Sequence, residues 1–378
     1  MVNVTLKLAG NPHMDAFGAS QSPGAMNEGL ADYFSSALTG DGDVGEYASQ
    51  DFAPGSVAIR SLDSADACPA AVGGEVHQDA TMFSAALWDV RKPLSDEQKA
   101  LFDGAIYAAM NSSPSGNLAY EDFAKLTLEA VEATALGKPV ADALSASYTK
   151  RGLLPQCQRI LEYTNGTLKG PKELQGLWFA PGTQTTGVKT TTGYTPGVIQ
   201  AHHALPPKTT KLTVGFSLVN IGGGGFGMGG TPFKPKVLVR FGADPIQFTY
   251  KPLKAAEGVQ ELEPVKGSGG TIGTPYSAEI EVPADASSVY VMIGSAGQSD
   301  GAYTALSLTT EQASPMGTGG AGGDMSTTSS GGGGSGGDAS SETIGGCGCG
   351  VPSSSEGSWG ALGGLAALGL LTARRRRR

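Results

Sequence analysis

Charge is sparse in this 378-residue chain: 16% of positions are Asp, Glu, Lys or Arg, with 26 basic residues against 35 acidic ones. Five of the basic residues are the terminal Arg374, Arg375, Arg376, Arg377 and Arg378, so the formal net charge of −9 becomes −14 for the rest. So acidic a body lacks the Lys and Arg excess that neutralises phosphates, which argues against nucleic acid as a partner. Imidazole is scarcer still. His13, His77, His202 and His203 are all that a metal centre could draw on. The opening MVNVTLKLAGNPHMD has no basic stretch leading into an apolar core, so no signal peptide is visible. The apolar segment 359–373 runs for about 15 residues, about 22 Å as a helix, and is short for a lasting membrane span. Cysteine is limited to two pairs. If the chain is exported, a Cys68–Cys157 disulfide is expected, closing a loop worth roughly 4 kcal/mol on the chain-entropy model; two reduced, buried thiols are the other reading. Cys347 and Cys349 sit in GGCGCG near the end.

Glycine, in contrast, is abundant, 58 residues, and its uneven spread divides the chain. Residues 1–163 read as a helical lobe. GAMNEGLADYFSSAL starts a first helix, GGEVHQDATMFSAALWDV spaces Val76, Ala80, Phe83 and Leu87 for a second, and Ser95 caps a third in SDEQKALFDGAIYAAM. AYEDFAKLTLEAVEATA and PVADALSASYTKRG add two more. From 164 to 312 the period falls to two: Leu212, Val214, Phe216 and Leu218 alternate, as do Val237, Val239 and Phe241, and Val289, Val291 and Ile293, which predicts a β-sandwich. Residues 313–345 are too poor in apolar side chains to bury a core and read as a disordered linker. Residues 346–378 form the tail. The expected fold class is therefore multidomain, α followed by all-β, ending in a short C-terminal transmembrane helix.

Two clusters could carry chemistry. Asn27-Glu28 and Asp32 lie one helical turn apart and share a helix face. In zinc hydrolases two imidazoles and a carboxylate leave a coordination position for water, and another carboxylate orients an imidazole; Glu28 would be the ligand and Asp32 the orienter. A solvated acidic helix face is the plain alternative. His77, at the start of its helix, is on its own an ordinary helix-start histidine.

Context changes those readings. GAMNEGLADYF resembles the third-ligand helix of the thermolysin and fungalysin group of zinc metallopeptidases, where Asn/Gly-Glu is followed by Asp four residues on. GGEVHQDATMFSAALWDV resembles the same group's active-site histidine segment, a Gly-x-x-His opening before a helix ending in Leu-Trp-Asp. The likeness covers residues 15 to about 160, and it implies that Glu28 ligates zinc, Asp32 supports the site and His77 donates to the oxyanion of the tetrahedral intermediate. The group also needs His-Glu-x-x-His on a preceding helix, with the general-base Glu between two imidazoles. No such motif occurs, and only His13 precedes Glu28. The chain is expected to begin just after that helix, so zinc is a cofactor only if upstream ligands are present. The resulting expectation is an exported, surface-sorted zinc metalloendopeptidase acting on protein or peptide substrates. The alternative is a non-catalytic surface remnant whose sandwich binds a protein or carbohydrate ligand.

The tail, GGCGCG followed by a polar spacer, WGALGGLAALGLL and RRRRR, resembles the MYXO-CTERM sorting tail of myxobacterial exported proteins. That likeness implies an inner-membrane precursor held through residues 359–373 with its arginines inside, then cleavage and surface anchoring through Cys347 or Cys349 by a sorting machinery. A plain single-pass anchor is the simpler reading. IGGGGFGMGG lacks the helix and Lys-Ser/Thr of a phosphate loop, His202-His203 lacks carboxylates at ligand spacing, and QSDGAY offers one Asp to calcium; all three read as loops.

Overall fold

The computed structural model describes residues 12–313 apart from 53–54, 115–117, 165, 169–176, 187–192, 220–232, 251–252, 269–272 and 299. The glycine-rich loop 221–230, the linker beyond 313, and the tail with Cys347, Cys349, segment 359–373 and Arg374 to Arg378 lie outside the described residues. Helices and several β-sheets coexist in what is described. No helix among the described residues is long and apolar enough to cross a membrane.

Pro23 sits in the first turn of α1 (Ser22–Thr39), where a missing N–H leaves no bond unmade. Gly40 ends the helix in the left-handed conformation (φ 76°), its N–H closing on Ser36 O at 2.9 Å. A short α2 (Glu46–Phe52) follows. Glu75 caps α3 (Val76–Arg91), and Ser95 opens α4 (Asp96–Ser112) through a reciprocal capping box with Gln98. The lobe is completed by α5 (Tyr120–Glu132) and α6 (Gly137–Lys150). Its centre is α3, in which residues 78–88 are all buried, as suits a helix surrounded by others. Phe83 meets Tyr120, Phe123 and Tyr148 at ring-centroid distances of 6.2, 5.7 and 5.8 Å. Gly29 lets α1 lie close against α3: a Cβ there would stand 2.9 Å from Ala80 O.

Before α1 comes a hairpin of β1 (His13–Asp15) and β2 (Gly18–Ser20), and β3 (Asp43–Val44) pairs with β4 (Arg60–Ser61). Two larger sheets fill the C-terminal part. One runs, in spatial order, β13 (Gln260–Leu262), β10 (Pro235–Phe241), β16 (Ser288–Ser295), β8 (Gln200–Ala204), β5 (Ile160–Thr164) and β6 (Thr167–Leu168). The other runs β14 (Val265–Lys266), β15 (Thr274–Glu281), β9 (Thr209–Val219), β17 (Gly301–Gln312) and β7 (Trp178–Ala180). Leu212, Val214 and Phe216 of β9 share a core with Val237 and Val239 of β10 and Val289, Val291 and Ile293 of β16, so period-two alternation marks the facing sides of the two sheets. The outer face of β10 and β16 is also covered. Leu238, Tyr290 and Met292 pack with Phe248 and Leu253 from the hairpin of β11 (Phe248–Tyr250) and β12 (Leu253–Ala255).

The lobe and the sheets share that first core, which runs from Met26 and Phe83 to Val291 and Leu308. The β1–β2 hairpin is tied into the sheet region by Ala19 N–H to Gly197 O (3.0 Å) and Phe248 N–H to Ala16 O (2.9 Å). Beside it the buried Arg159 grips Asp15 with two bonds of 2.8 and 2.6 Å and donates from Nε to Val198 O at 3.0 Å. That pair joins the strand before the lobe to the residue that leads into the first strand after it.

Candidate active site

Two helices converge on the expected residues. α1 presents Glu28, a third exposed, and, one turn on, the nearly buried Asp32; α3 presents His77 in its first turn, with half of its side chain exposed. His77 Nε2 stands 3.5 Å from Glu28 Oε2. On the other side of the ring Nδ1 donates to Glu75 Oε1 at 2.7 Å, while Glu75 Oε2 accepts the backbone N–H groups of His77 (3.0 Å) and Gln78 (3.1 Å). One carboxylate thus caps α3 and fixes the imidazole. Asp32 is held by Arg60 of β4 in a two-pronged pair, Nε to Oδ2 and Nη2 to Oδ1, each 2.7 Å. Expected to orient an imidazole, Asp32 here has a guanidinium as its partner.

The electrostatics follow from these contacts. The hydrogen bond to Glu75 raises the His77 pKa, burial opposes it, and the charges of Glu75 and Glu28 add to the rise. Burial pushes Glu75 upward, but its bonds to the His77 side chain and to the α3 amides outweigh this and leave it lowered. For Arg60, burial works against the charge and the Asp32 bond and carboxylates prevail, so the guanidinium is stabilised. The two neighbouring carboxylates thus favour protonation of the His77 ring, and the Arg60 guanidinium keeps its charge.

The turn before His77 is locked from two directions. Buried Asp79 accepts the N–H groups of Gly73 (2.8 Å) and Gly74 (3.1 Å), and burial nevertheless pushes its carboxyl up to about 7. From the sheet region, Phe179 N–H donates to Gly73 O at 2.8 Å. Gly74 has φ +83°, and a Cβ there would meet Val198 at 2.8 Å, so only glycine fits. Five residues ahead of Gly73 in sequence, Cys68 is joined to Cys157 as a disulfide across 89 residues of sequence.

Zinc does not fit these residues by themselves. Among the described residues no group of three or more His, Cys, Asp or Glu could hold a metal ion. Glu28 has one imidazole beside it, not the pair that a zinc site requires. His13 lies on β1; on β8, His202 bonds Glu162 at 2.9 Å and stacks on Tyr290 while His203 bonds Tyr163 O. In the loop read as a weak calcium candidate, Asp300 accepts Gly182 N–H at 2.7 Å. Sequence reasoning missed Arg60, Glu75 and Asp79. Arg60 reaches the site through a two-residue strand with no readable period, whereas Glu75, an extended acidic residue just before a helix, carries a capping signal that could have singled it out.

Comparison with known proteins adds little. No family model matches the chain, and no curated protein matches it. Among solved structures, a family GH115 4-O-methyl-α-glucuronidase with specificity for decorated arabinogalactans aligns over 62% of this chain at 11% identity, with a TM-score of 0.15. The chain spans 29% of the length of that glucuronidase, and a likeness this slight assigns neither a fold nor an activity.

Proposed function

We propose that Glu28, Arg60, Glu75 and His77 form one wall of a peptide-hydrolysing centre of the thermolysin and fungalysin kind, in an exported protein sorted to the cell surface by its tail. The observation that carries this is the meeting of Glu28 and His77 at 3.5 Å from two separate helices, with Glu75 holding the far nitrogen of the ring. On this wall His77, favoured as imidazolium, donates from Nε2 to the carbonyl oxygen as negative charge gathers there. Glu75 keeps the ring from rotating, and Arg60, braced by Asp32, supplies a fixed positive charge alongside.

Because the described donors do not fit zinc, the reading requires a second wall, a His-Glu-x-x-His helix from outside this sequence, and the 378-residue chain alone should neither hold zinc nor cleave peptides. DNA in frame ahead of Met1 should encode that motif roughly 30 residues or slightly more before Glu28. Protein that includes it should show chelator-sensitive cleavage, and His77→Phe should lower kcat with the metal retained. An in-frame stop with no such segment would leave the second reading, a non-catalytic surface protein whose β-sheets bind a ligand. Surface sorting through Cys347 or Cys349 rests on the tail's sequence; recovery of Arg374 to Arg378 in surface material would refute it.

A further inference from the structure

We infer that Asp79 is a proton-operated latch on the turn that carries Glu75 and His77, closed when its carboxylate is ionised and slack when it is neutral. The latch concerns the geometry of the turn and stands independently of the peptidase reading. Asp79 is 3% exposed, and among the described residues its carboxylate bonds main-chain amides and no cation. Oδ1 accepts Gly73 N–H at 2.8 Å, and both oxygens share Gly74 N–H, at 3.2 Å for Oδ1 and 3.1 Å for Oδ2. Gly74 leads straight into Glu75, whose Oε1 holds the His77 ring and whose Oε2 caps α3. On the other side Phe179 N–H pins Gly73 O at 2.8 Å, so slack in the turn falls on Gly74 and Glu75.

The charged and titratable groups acting on the carboxyl are Glu75 from its own turn, Arg159 from the approach to β5 and Tyr120 from α5. Burial and Glu75 oppose ionisation, the two amides and Arg159 favour it, and the balance lies at about 7. Arg159 is already committed to Asp15 and to Val198 O, and Tyr120 donates to the main-chain O of Asp79 at 2.9 Å, not to its side chain. A proton on Oδ2 converts an acceptor into a hydroxyl. Gly74 is then left with the longer bond to Oδ1, which Gly73 already uses, and the charge that makes such bonds roughly twice as strong is gone from both. Beside the same glycine, Gln78 Oε1 is buried with no donor among the described residues, 2.7 Å from where a Cβ on Gly73 would stand. A buried acceptor without a donor is costly, and the neutral carboxyl brings a donor to the turn that lacks one.

NMR titration of the full chain, with labelled aspartate carboxyls and amides, tests this. The Asp79 carboxyl should titrate near pH 7, not at the ordinary carboxylate value of about 4. The amides of Gly73 and Gly74, and those of His77 and Gln78 that Glu75 caps, should shift with that same midpoint. His77→Phe removes the imidazole that titrates in the same range and should keep the step. Asp79→Asn, which like the neutral acid carries one acceptor and one donor, should abolish it and hold these amides near their low-pH positions. An Asp79 midpoint below about pH 5 in the parent protein would overturn the proposal. So would a step that never reaches residues 77 and 78, one that disappears in His77→Phe, or one that persists in Asp79→Asn.

Discussion

Glu75 shows how much a single side chain can settle, since one carboxylate both starts α3 and fixes the His77 ring. Glu75→Gln keeps an oxygen for the amides but removes the charge. His77 should then titrate at a lower pH in an NMR series, and an unchanged midpoint would show that Glu75 is not what raises it. Because the folded His77 pKa lies above its unfolded value, its contribution to stability is full below about pH 6.5 and is lost as pH rises through the folded value. Asp79 works in the same direction at lower pH: raised to about 7 by burial, it stabilises the fold most below the ordinary carboxylate value and loses that contribution as pH climbs toward 7. Denaturant midpoints should therefore fall between about pH 4 and 7, and Asp79→Asn should flatten that fall. Glu28 and Asp32 were legible as candidates from their one-turn spacing, and His77 only from the likeness of its segment to the metallopeptidase group. Arg60 was not, because its pairing with Asp32 is made by the fold and leaves no local signature.

Among the elements, the five longer helices and the strands around Leu212, Val237 and Val289 were legible, each carrying either a cap or a clean period. What could not be read was burial on a second side. Four apolar residues of α3 predicted one buried stripe, yet Gln78 and Asp79 are buried too, the Asp79 carboxylate taken up by the turn at Gly73 and the Gln78 amide N–H donating to Ala71 O. The short β3, β4 and α2 escaped because two to seven residues carry too little pattern. The packing of α1 on α3 makes its own prediction. Gly29→Ala places a methyl against Ala80 O, which should cost about 1–3 kcal/mol in urea unfolding and push the neighbouring Glu28 away from His77. A neutral effect would mean that the two helices are not held at this separation.

For the whole molecule, the change of period near residue 164 located the shift from helix to sheet but said nothing of how closely the two parts are bound. The contacts that bind them, Arg159 to Asp15, Phe179 to Gly73 and Gly74 against Val198, join residues far apart in sequence. The sheets therefore help to hold the turn that carries His77. Asp15→Ala would strand the buried Arg159 charge and should cost about 3–5 kcal/mol, with helical and aromatic signals lost in one coincident transition. Two separated transitions would show that the lobe and the sheets fold independently. The zinc content of protein expressed together with the in-frame DNA ahead of Met1 bears most directly on the peptidase reading. One zinc per chain, lost in Glu28→Gln, is the predicted result; no zinc, or zinc retained without the Glu28 carboxylate, would contradict it.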